Sequence, residues 1–151
     1  MARSTTKTSG KVLGDLIRAA YHQGYCYVSG KLVNPSATAL AGVSVLGQPV
    51  KASGANYVLV LATDEANAIG IVAHDKPINL ALSGTSDDLY LILRRGPALI
   101  DYDALPLKDT AAGGGDAGTA FTIATLVTAL AALSPPIIAL RELTPTKTQT
   151  S

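Results

Sequence analysis

The chain has 151 residues, of which 48% are hydrophobic and 15% charged. That length suits one domain, and that apolar share is large enough to bury a core. A formal net charge of +1 excludes a bulk electrostatic attraction to nucleic acid or to an anionic membrane. The lone cysteine, Cys26, excludes an internal disulfide and is expected to be a small buried hydrophobe. So few charged side chains indicate a surface that partners cover in part.

Residues 1–11 are polar, lack periodicity and are predicted to form a flexible arm. Two interpretations stay open here: a disordered tail, or an arm that orders by adding to the edge of a partner's sheet. The arm has no apolar core after its basic start, so it does not fit a secretory signal. Ser9 is then expected to cap a helix that ends at Gly24, with Leu16 and Ile17 on its apolar side.

Short apolar or alternating runs, bounded by Gly, Pro, Asp and Ser, predict the strands of a small β core. The two early ones cover Gly24–Val33 and Val43–Val50, with turns or loops at Asn34–Ser36 and Ala52–Asn56. Gly42, Gly47 and Pro49 suggest a bulge or an edge position in the second of them. The later runs are Tyr57–Ala62, Ile69–Ala73, Ile78–Leu82, Leu89–Leu93 and Ala98–Ile100.

The remaining third of the chain begins with an irregular acidic link, Asp101–Leu107. Lys108–Gly118 is predicted to be a flexible loop, because three consecutive glycines are costly to order. Apolar residues then follow helical spacing from Ile123 to Leu133, and Ile137–Leu140 is predicted to be a closing strand. Pro135 and Pro136 cut this uncharged region, so the helix has about 15 residues and is too short to span a bilayer.

These elements predict an α+β fold: a small, mostly antiparallel sheet or barrel-like core with one or two short helices. The expected organisation is a flexible arm over residues 1–11, a single domain over 12–142 and a polar tail over 143–151.

The motif search finds no reactive constellation. Gly24–Leu32 is one residue too long for a phosphate-binding loop, and Gly42–Gly47 is one too long for a nucleophile elbow. Asp87 and Asp88 are adjacent, so on a strand they would point to opposite faces. An enzymatic or ligand-binding β domain would need a pocket that gathers His74, Asp75, Asp87 and Arg94. The sequence therefore predicts no catalytic, cofactor-binding or metal-binding residue.

From Val60 to Asp101 the chain resembles the head decoration proteins of tailed bacteriophages, the family typified by the phage lambda capsid decoration protein. The segments that carry this resemblance, in chain order, are Val58–Leu61, Ala68–Ala73, Arg94–Gly96, Ala98–Ile100, Asp101–Pro106, Thr119–Leu133 and Ile137–Leu140. It covers roughly the last two-thirds of the chain, with residues 57–141 as the decoration-like core. Residues 12–50 would be an added helix and strands.

The resemblance implies a structural protein of the virion, not an enzyme. It would bind the outer capsid surface as a homotrimer and cement neighbouring major capsid subunits, without direct contact to nucleic acid or membrane. The N-terminal arm would contact the capsid lattice, and Arg94 and Arg95 would either meet an acidic partner surface or be a solvated strand end. The capsid-contact candidates are Ala2, Arg3, Ser4, Thr5, Thr6, Lys7, Thr8, Arg94 and Arg95. A tail, baseplate or minor capsid component is the alternative, ahead of a small ligand-binding or enzymatic β domain.

Overall fold

A computed structural model of the chain describes residues 16–20, 23–75 and 77–141. Eleven strands and two α-helices lie in these ranges. They are β1 (Ile17–Ala20), α1 (Gln23–Cys26), β2 (Tyr27–Gly30), β3 (Leu32–Val33), β4 (Leu40–Ser44), β5 (Pro49–Ser53), β6 (Asn56–Leu59), β7 (Gly70–Val72), β8 (Pro77–Leu80), β9 (Tyr90–Leu93), β10 (Ala98–Asp101), α2 (Ile123–Ala131) and β11 (Ile137–Leu140). Short 3-10 turns lie at Glu65–Asn67, Tyr102–Ala104, Ala111–Gly113 and Gly115–Ala117.

The strands form three sheets. The central sheet has six strands in the order β2-β9-β7-β5-β6-β3, and it is accompanied by a β1-β10-β11 sheet and a β4-β8 pair. Every neighbouring pair is antiparallel except β3 with β6 and β10 with β11. The prediction of an α+β fold with a mostly antiparallel core is therefore confirmed, and none of these sheets closes into a barrel.

Side-chain alternation on the central sheet divides the core in two. Ile71 and Leu93 belong to one hydrophobic cluster, while their chain neighbours Val72 and Ile92 belong to the other. Successive strand residues point to opposite faces, so the central sheet lies between the two clusters. The first cluster is completed by Ile100, Leu126, Leu130 and Ile137, from the β1-β10-β11 sheet and α2. The second is completed by Leu40, Ile78 and Leu80, from the β4-β8 pair.

Helix α2 confirms the helical spacing read from Ile123 to Leu133, and β11 confirms the closing strand. Leu126 and Leu130, one turn apart, are fully buried. The start of the helix is held by a distant acid: the carboxylate of Glu65 accepts a hydrogen bond of 2.6 Å from the Thr122 N–H. An anion is favoured there, because unpaired N–H groups point out of a helix N-terminus. No helix in the described part of the chain has both the length and the apolar character to cross a membrane.

The prediction of a helix that ends at Gly24 is wrong for its C-terminal part. Ile17–Ala20 is strand β1, and Gly24 lies inside the short helix α1 rather than after a helix. Ile17 pairs with Ile100, so a sheet partner far along the chain decides the conformation. The spacing of apolar residues fits either element, and tertiary pairing overrides a weak local preference. Only the Tyr27–Val33 part of the predicted Gly24–Val33 strand is extended, as β2 and β3.

The single strand predicted over Val43–Val50 is also wrong. The chain turns between β4 and β5, where the Gln48 N–H donates to the Val45 carbonyl at 3.0 Å. Gly47 has a φ of +80°, which a residue with a side chain rarely adopts, so this turn favours glycine. A bulge does occur nearby, since the β4–β8 register shifts between Ala41 and Val43. The loop predicted at 52–56 is a tight β5–β6 hairpin.

Strands β1 to β4 are an integral part of the fold. β1, β2, β3 and β4 each pair with a strand that follows residue 55. Cys26 is fully buried, as expected of a small hydrophobe, and it belongs to the first cluster. The predicted arm over 1–11 and the tail over 143–151 lie outside the described residues.

The loop at Lys108–Gly118 is organised by Asp109, which is 2% exposed. Its carboxylate accepts hydrogen bonds from the N–H groups of Ala62 at 2.7 Å, Thr119 at 2.7 Å and Ala111 at 3.0 Å. The Asp109 N–H also donates to the Thr119 carbonyl at 2.8 Å. One buried acid thus joins both ends of the loop to the turn that follows β6. The loop is built of short 3-10 turns instead of the unpacked linker that the glycines predict.

Candidate contact surface

Arg94 and Arg95 lie directly after β9, in the turn that leads to β10. Their backbone N–H groups both donate to the carbonyl of Cys26, at 2.8 and 3.3 Å. This carbonyl is the last of helix α1, so the turn and the helix end are fixed to each other. The backbones of the two arginines therefore occupy defined positions.

Arg95 is paired with Tyr25. Its guanidinium donates to the Tyr25 carbonyl at 2.8 Å, and the guanidinium carbon lies 4.8 Å from the centre of the Tyr25 ring. Tyr25 is 48% exposed, so this cation–π pair is open to solvent. Arg and Tyr are among the residue types that protein interfaces favour most. The sequence pattern does not bring Tyr25 to this site, since 70 residues separate the two.

Arg94 is half-buried, and its guanidinium reaches the Ile69 carbonyl at 3.5 Å. Neither arginine forms an ion pair with a carboxylate among the described residues. Their charges are thus available to an acidic partner. The N-terminal contact candidates Ala2–Thr8 lie outside the described residues.

The described ion pairs are Arg18 with Asp101, at 2.8 Å, and Lys51 with Asp64. Hydrogen bonds from Lys51, and then from Asn67, lower the pKa of Asp64 below its ordinary value. Asp101 also accepts from the Asp103 N–H at 2.9 Å, which caps the 3-10 turn at Tyr102–Ala104. The Asp101 carboxylate therefore has two partners within the fold, the Arg18 guanidinium and the Asp103 N–H.

Large apolar side chains add to the exposed surface. Leu99 on β10 pairs with Ala19 on β1 and with Ile138 on β11, so the three form a row across the small sheet. Together with Pro97 and Pro136 they line a groove of about 470 Å³. Other exposed large apolar side chains are Leu82, Leu89, Leu91, Leu107 and Leu140. The contiguous row on the small sheet is the kind of exposed apolar area that is typical of protein contact surfaces, whereas leucines exposed singly are ordinary.

A cleft of about 610 Å³ is lined by His74, Asp87 and Asp88, with Pro77, Leu89 and Tyr90. The His74 and Tyr90 rings meet edge to face with their centres 4.6 Å apart. Burial, and then the nearby charge of Asp88, raise the pKa of Tyr90. Arg94 follows the opposite end of β9, so the cleft does not gather the four groups that an enzymatic β domain would need. No three His, Cys, Asp or Glu side chains within the described ranges are arranged to hold a metal ion.

Comparison with protein-family models, with curated proteins and with solved structures finds no match to this chain. The features that bear on function are then those of the chain itself. An exposed Arg–Tyr pair, a second arginine without a carboxylate partner and several exposed leucines can bind a protein surface through shape and charge.

Proposed function

We propose that this chain is a structural virion protein that binds the outside of a tailed-phage capsid and cements neighbouring major capsid subunits. The observation that carries the proposal is the order of elements from β6 to β11. The resemblance implies an apolar strand, a polar turn, further strands, an acidic segment, a small helix and a closing strand. The chain has β6, the turn at Glu65–Asn67, β7 to β10, the acidic turn at Tyr102–Ala104, α2 and β11, in that order.

The surface is compatible with such a role. A cement protein needs shape-complementary contacts and no reactive group, and a repeating lattice raises avidity even where each contact is weak. Arg94, Arg95 and Tyr25 supply a cationic and aromatic patch on a rigid turn. In this proposal the patch contacts the capsid, residues 2–8 supply the arm, and the bound form is a homotrimer.

Co-sedimentation tests the proposal. The purified chain is mixed with expanded heads assembled from the major capsid protein of the genome that encodes it, and the bound fraction is measured against concentration. We expect saturable binding, and deletion of residues 2–11 should weaken it. Full-length chain that stays in the supernatant at every concentration would overturn the assignment. Solution mass measurement tests the trimer separately, and a monomer both free and on the head would contradict it.

The patch is tested with charge-matched variants. Joint substitution of Arg94→Ala and Arg95→Ala should weaken head binding by about tenfold or more, since truncation of central Arg anchors costs about 1–2 kcal/mol or more. Lys31→Glu is the control, because Lys31 is exposed and its replacement by Glu lowers the net charge by two, as the double substitution does, elsewhere on the surface. Equal loss in the control and the patch variant would indicate a general charge effect and would remove the patch from the contact.

A further inference from the structure

The small β1-β10-β11 sheet is apolar on both of its faces. Ala98 and Ile100 on β10 and Ile137 on β11 belong to the first hydrophobic cluster and are buried. Leu99 lies between two of these residues, so it points to the opposite face of the sheet, where it is 37% exposed. A sheet that faces water commonly carries polar side chains on its outer side. An apolar outer face therefore indicates a further layer that covers it.

The outer face contains an apolar groove. The row formed by Ala19, Leu99 and Ile138 crosses this face, and the groove around the row has a volume of about 470 Å³. None of the residues that line the groove has a charged or polar side chain. An occupant must therefore supply apolar side chains, because a polar group would lose its hydration there without gaining a partner.

A positive charge borders the row on β11. Leu140 follows Ile138 on the same face of the strand and is 47% exposed. Arg141 is the next residue, and its guanidinium carbon lies 4.2 Å from the centre of the Tyr102 ring. Arg141 is exposed and forms no ion pair with a carboxylate in the described part of the chain. An occupant that carries a carboxylate beside its apolar side chains would therefore match this edge of the groove.

The same chain has a second exposed surface with these two properties. Leu89 and Leu91 are 62% and 38% exposed, with buried Tyr90 between them, so both leucines point away from the core on one side of the chain. Asp87 and Asp88 directly precede them and are exposed. Neither carboxylate forms an ion pair with a cationic group among the residues that the structure describes. We call residues 87–91 the acidic leucine segment.

One copy of the chain does not bring the two surfaces together. Leu89, Leu91 and Leu99 are all exposed in the same fold, so the segment does not cover the row of its own copy. Movement of the segment to the row is opposed by the pairing of β9 on both sides, with β2 and with β7. A second copy can place its segment on the row without any change in the fold.

Charge distinguishes the segment from the N-terminal residues as an occupant. Residues 1–11 have three basic side chains and no acidic one, so on the row they would bring positive charge next to Arg141. The acidic leucine segment brings two carboxylates instead. Opposite charges across an interface favour the correct pairing, and like charges suppress the wrong one.

We propose that the acidic leucine segment of one copy docks on the apolar row of a second copy. Leu89 and Leu91 pack against Leu99 in the groove, and Asp88 approaches Arg141. The two surfaces differ, so the contact is head-to-tail, and contacts of this type form closed rings when the rotation between copies allows it. The inference deepens the homotrimer proposed above, and it rests on that proposal only for the number of copies in the ring.

Sedimentation velocity of the full-length chain tests the contact without a capsid, at concentrations up to about 500 μM. Leu89→Asp and Leu99→Asp should each weaken self-association at least about tenfold, because the contact would bury a carboxylate in an apolar groove. Asp88→Arg should weaken it several-fold, since it would place positive charge against Arg141. Leu107→Asp is the control, at an exposed leucine outside both surfaces, and it should associate like the wild type.

Mixing the two defective variants tests the head-to-tail arrangement. The intact row of Leu89→Asp can accept the intact segment of Leu99→Asp, so the mixture should form a dimer at a concentration where neither variant associates alone. Oxidation of a mixture of Leu89→Cys and Leu99→Cys should likewise give a cross-linked dimer, and Leu107→Cys mixed with Leu99→Cys should not. Cys26 is fully buried and does not compete. The cysteine variants keep the test decisive if an aspartate variant fails to fold.

A wild-type chain that stays monomeric at about 500 μM would overturn the contact. Self-association that Leu89→Asp or Asp88→Arg leaves unchanged would overturn it too, as would cysteine pairs that cross-link no faster than the control pair. None of these outcomes depends on head binding. Head binding by a chain that stays monomeric in solution would overturn the contact and keep the cement role, whereas the reverse result would refute the cement role and keep the contact.

Discussion

Substitution of Asp109 tests whether one buried carboxylate holds the loop at Lys108–Gly118 in place. The Asp109 carboxylate is buried and accepts three backbone hydrogen bonds, from Ala62, from Ala111 within the loop and from Thr119 directly after it. Oδ1 accepts two of them and Oδ2 accepts the one from Ala62. Asp109→Asn changes only the second oxygen, so it separates the Ala62 bond from the other two.

The expected magnitude follows from these contacts. A hydrogen bond to a charged acceptor contributes about 1.5–3 kcal/mol, and a donor left unpaired in the interior costs about 1–3 kcal/mol. In Asp109→Asn the amide NH₂ would face the Ala62 N–H, donor against donor, so we expect a loss of about 2 kcal/mol. Asp109→Ala leaves three N–H groups without acceptors and should lose about 4 kcal/mol, less than the full sum because water can enter the vacated space.

Urea unfolding followed by circular dichroism measures these losses. With a slope of about 1–3 kcal/mol per molar urea, Asp109→Asn should lower the midpoint by roughly 1 M. Hydrogen exchange should also quicken at the Ala62 amide. Asp103→Asn is the control, since Asp103 is exposed and its carboxylate has no described partner. If the two asparagine variants unfold at the same urea concentration, Asp109 does not hold the loop and the reasoning is refuted.

Three further substitutions test other parts of the fold. The pKa of Asp64 is lowered in the folded state, so its ionised carboxylate adds to the free energy of unfolding above the ordinary pKa range of a carboxyl group. This contribution is lost as the pH falls below about 4. Asp64→Asn should therefore reduce the loss of stability at acidic pH by less than about 1 kcal/mol, since the Lys51–Asp64 pair is partly exposed. An unchanged dependence of the free energy of unfolding on pH would contradict this. Gly96→Ala should abolish cooperative unfolding, because a Cβ there would lie 1.7 Å from the Pro136 carbonyl oxygen; a folded variant would refute that packing. Leu126→Ala, at a fully buried site, should cost about 3 kcal/mol in urea unfolding, against less for the half-buried Val127→Ala; equal costs would place the helix in a different orientation.

The strands from β6 to β10, helix α2 and strand β11 were predictable from the sequence. Each has a local signal: a short apolar run between turn residues, or apolar residues at helical spacing. β7 is an example, since Gly70–Val72 lies within the predicted Ile69–Ala73 run. Burial on both faces of the central sheet makes such runs continuously apolar, and that pattern is visible without any partner.

The candidate contact surface was only partly predictable. Arg94 and Arg95 stand out as adjacent charges after an apolar run, and the structure fixes both at the end of α1. Tyr25 carried no comparable signal. Its significance comes from the position of its ring beneath the Arg95 guanidinium, and Arg95 lies 70 residues further along the chain.

By itself the sequence determined the α+β class, the mostly antiparallel core and the closing helix and strand, because these depend on apolar periodicity and turn residues within a few positions. Tertiary structure decided the rest. Ile17 is extended because Ile100 offers it a sheet partner, and a chain with three adjacent glycines forms defined turns because Asp109 accepts three N–H groups at once. Hydrogen bonds between distant segments supply the free energy for both, and no local pattern encodes where the partner will lie.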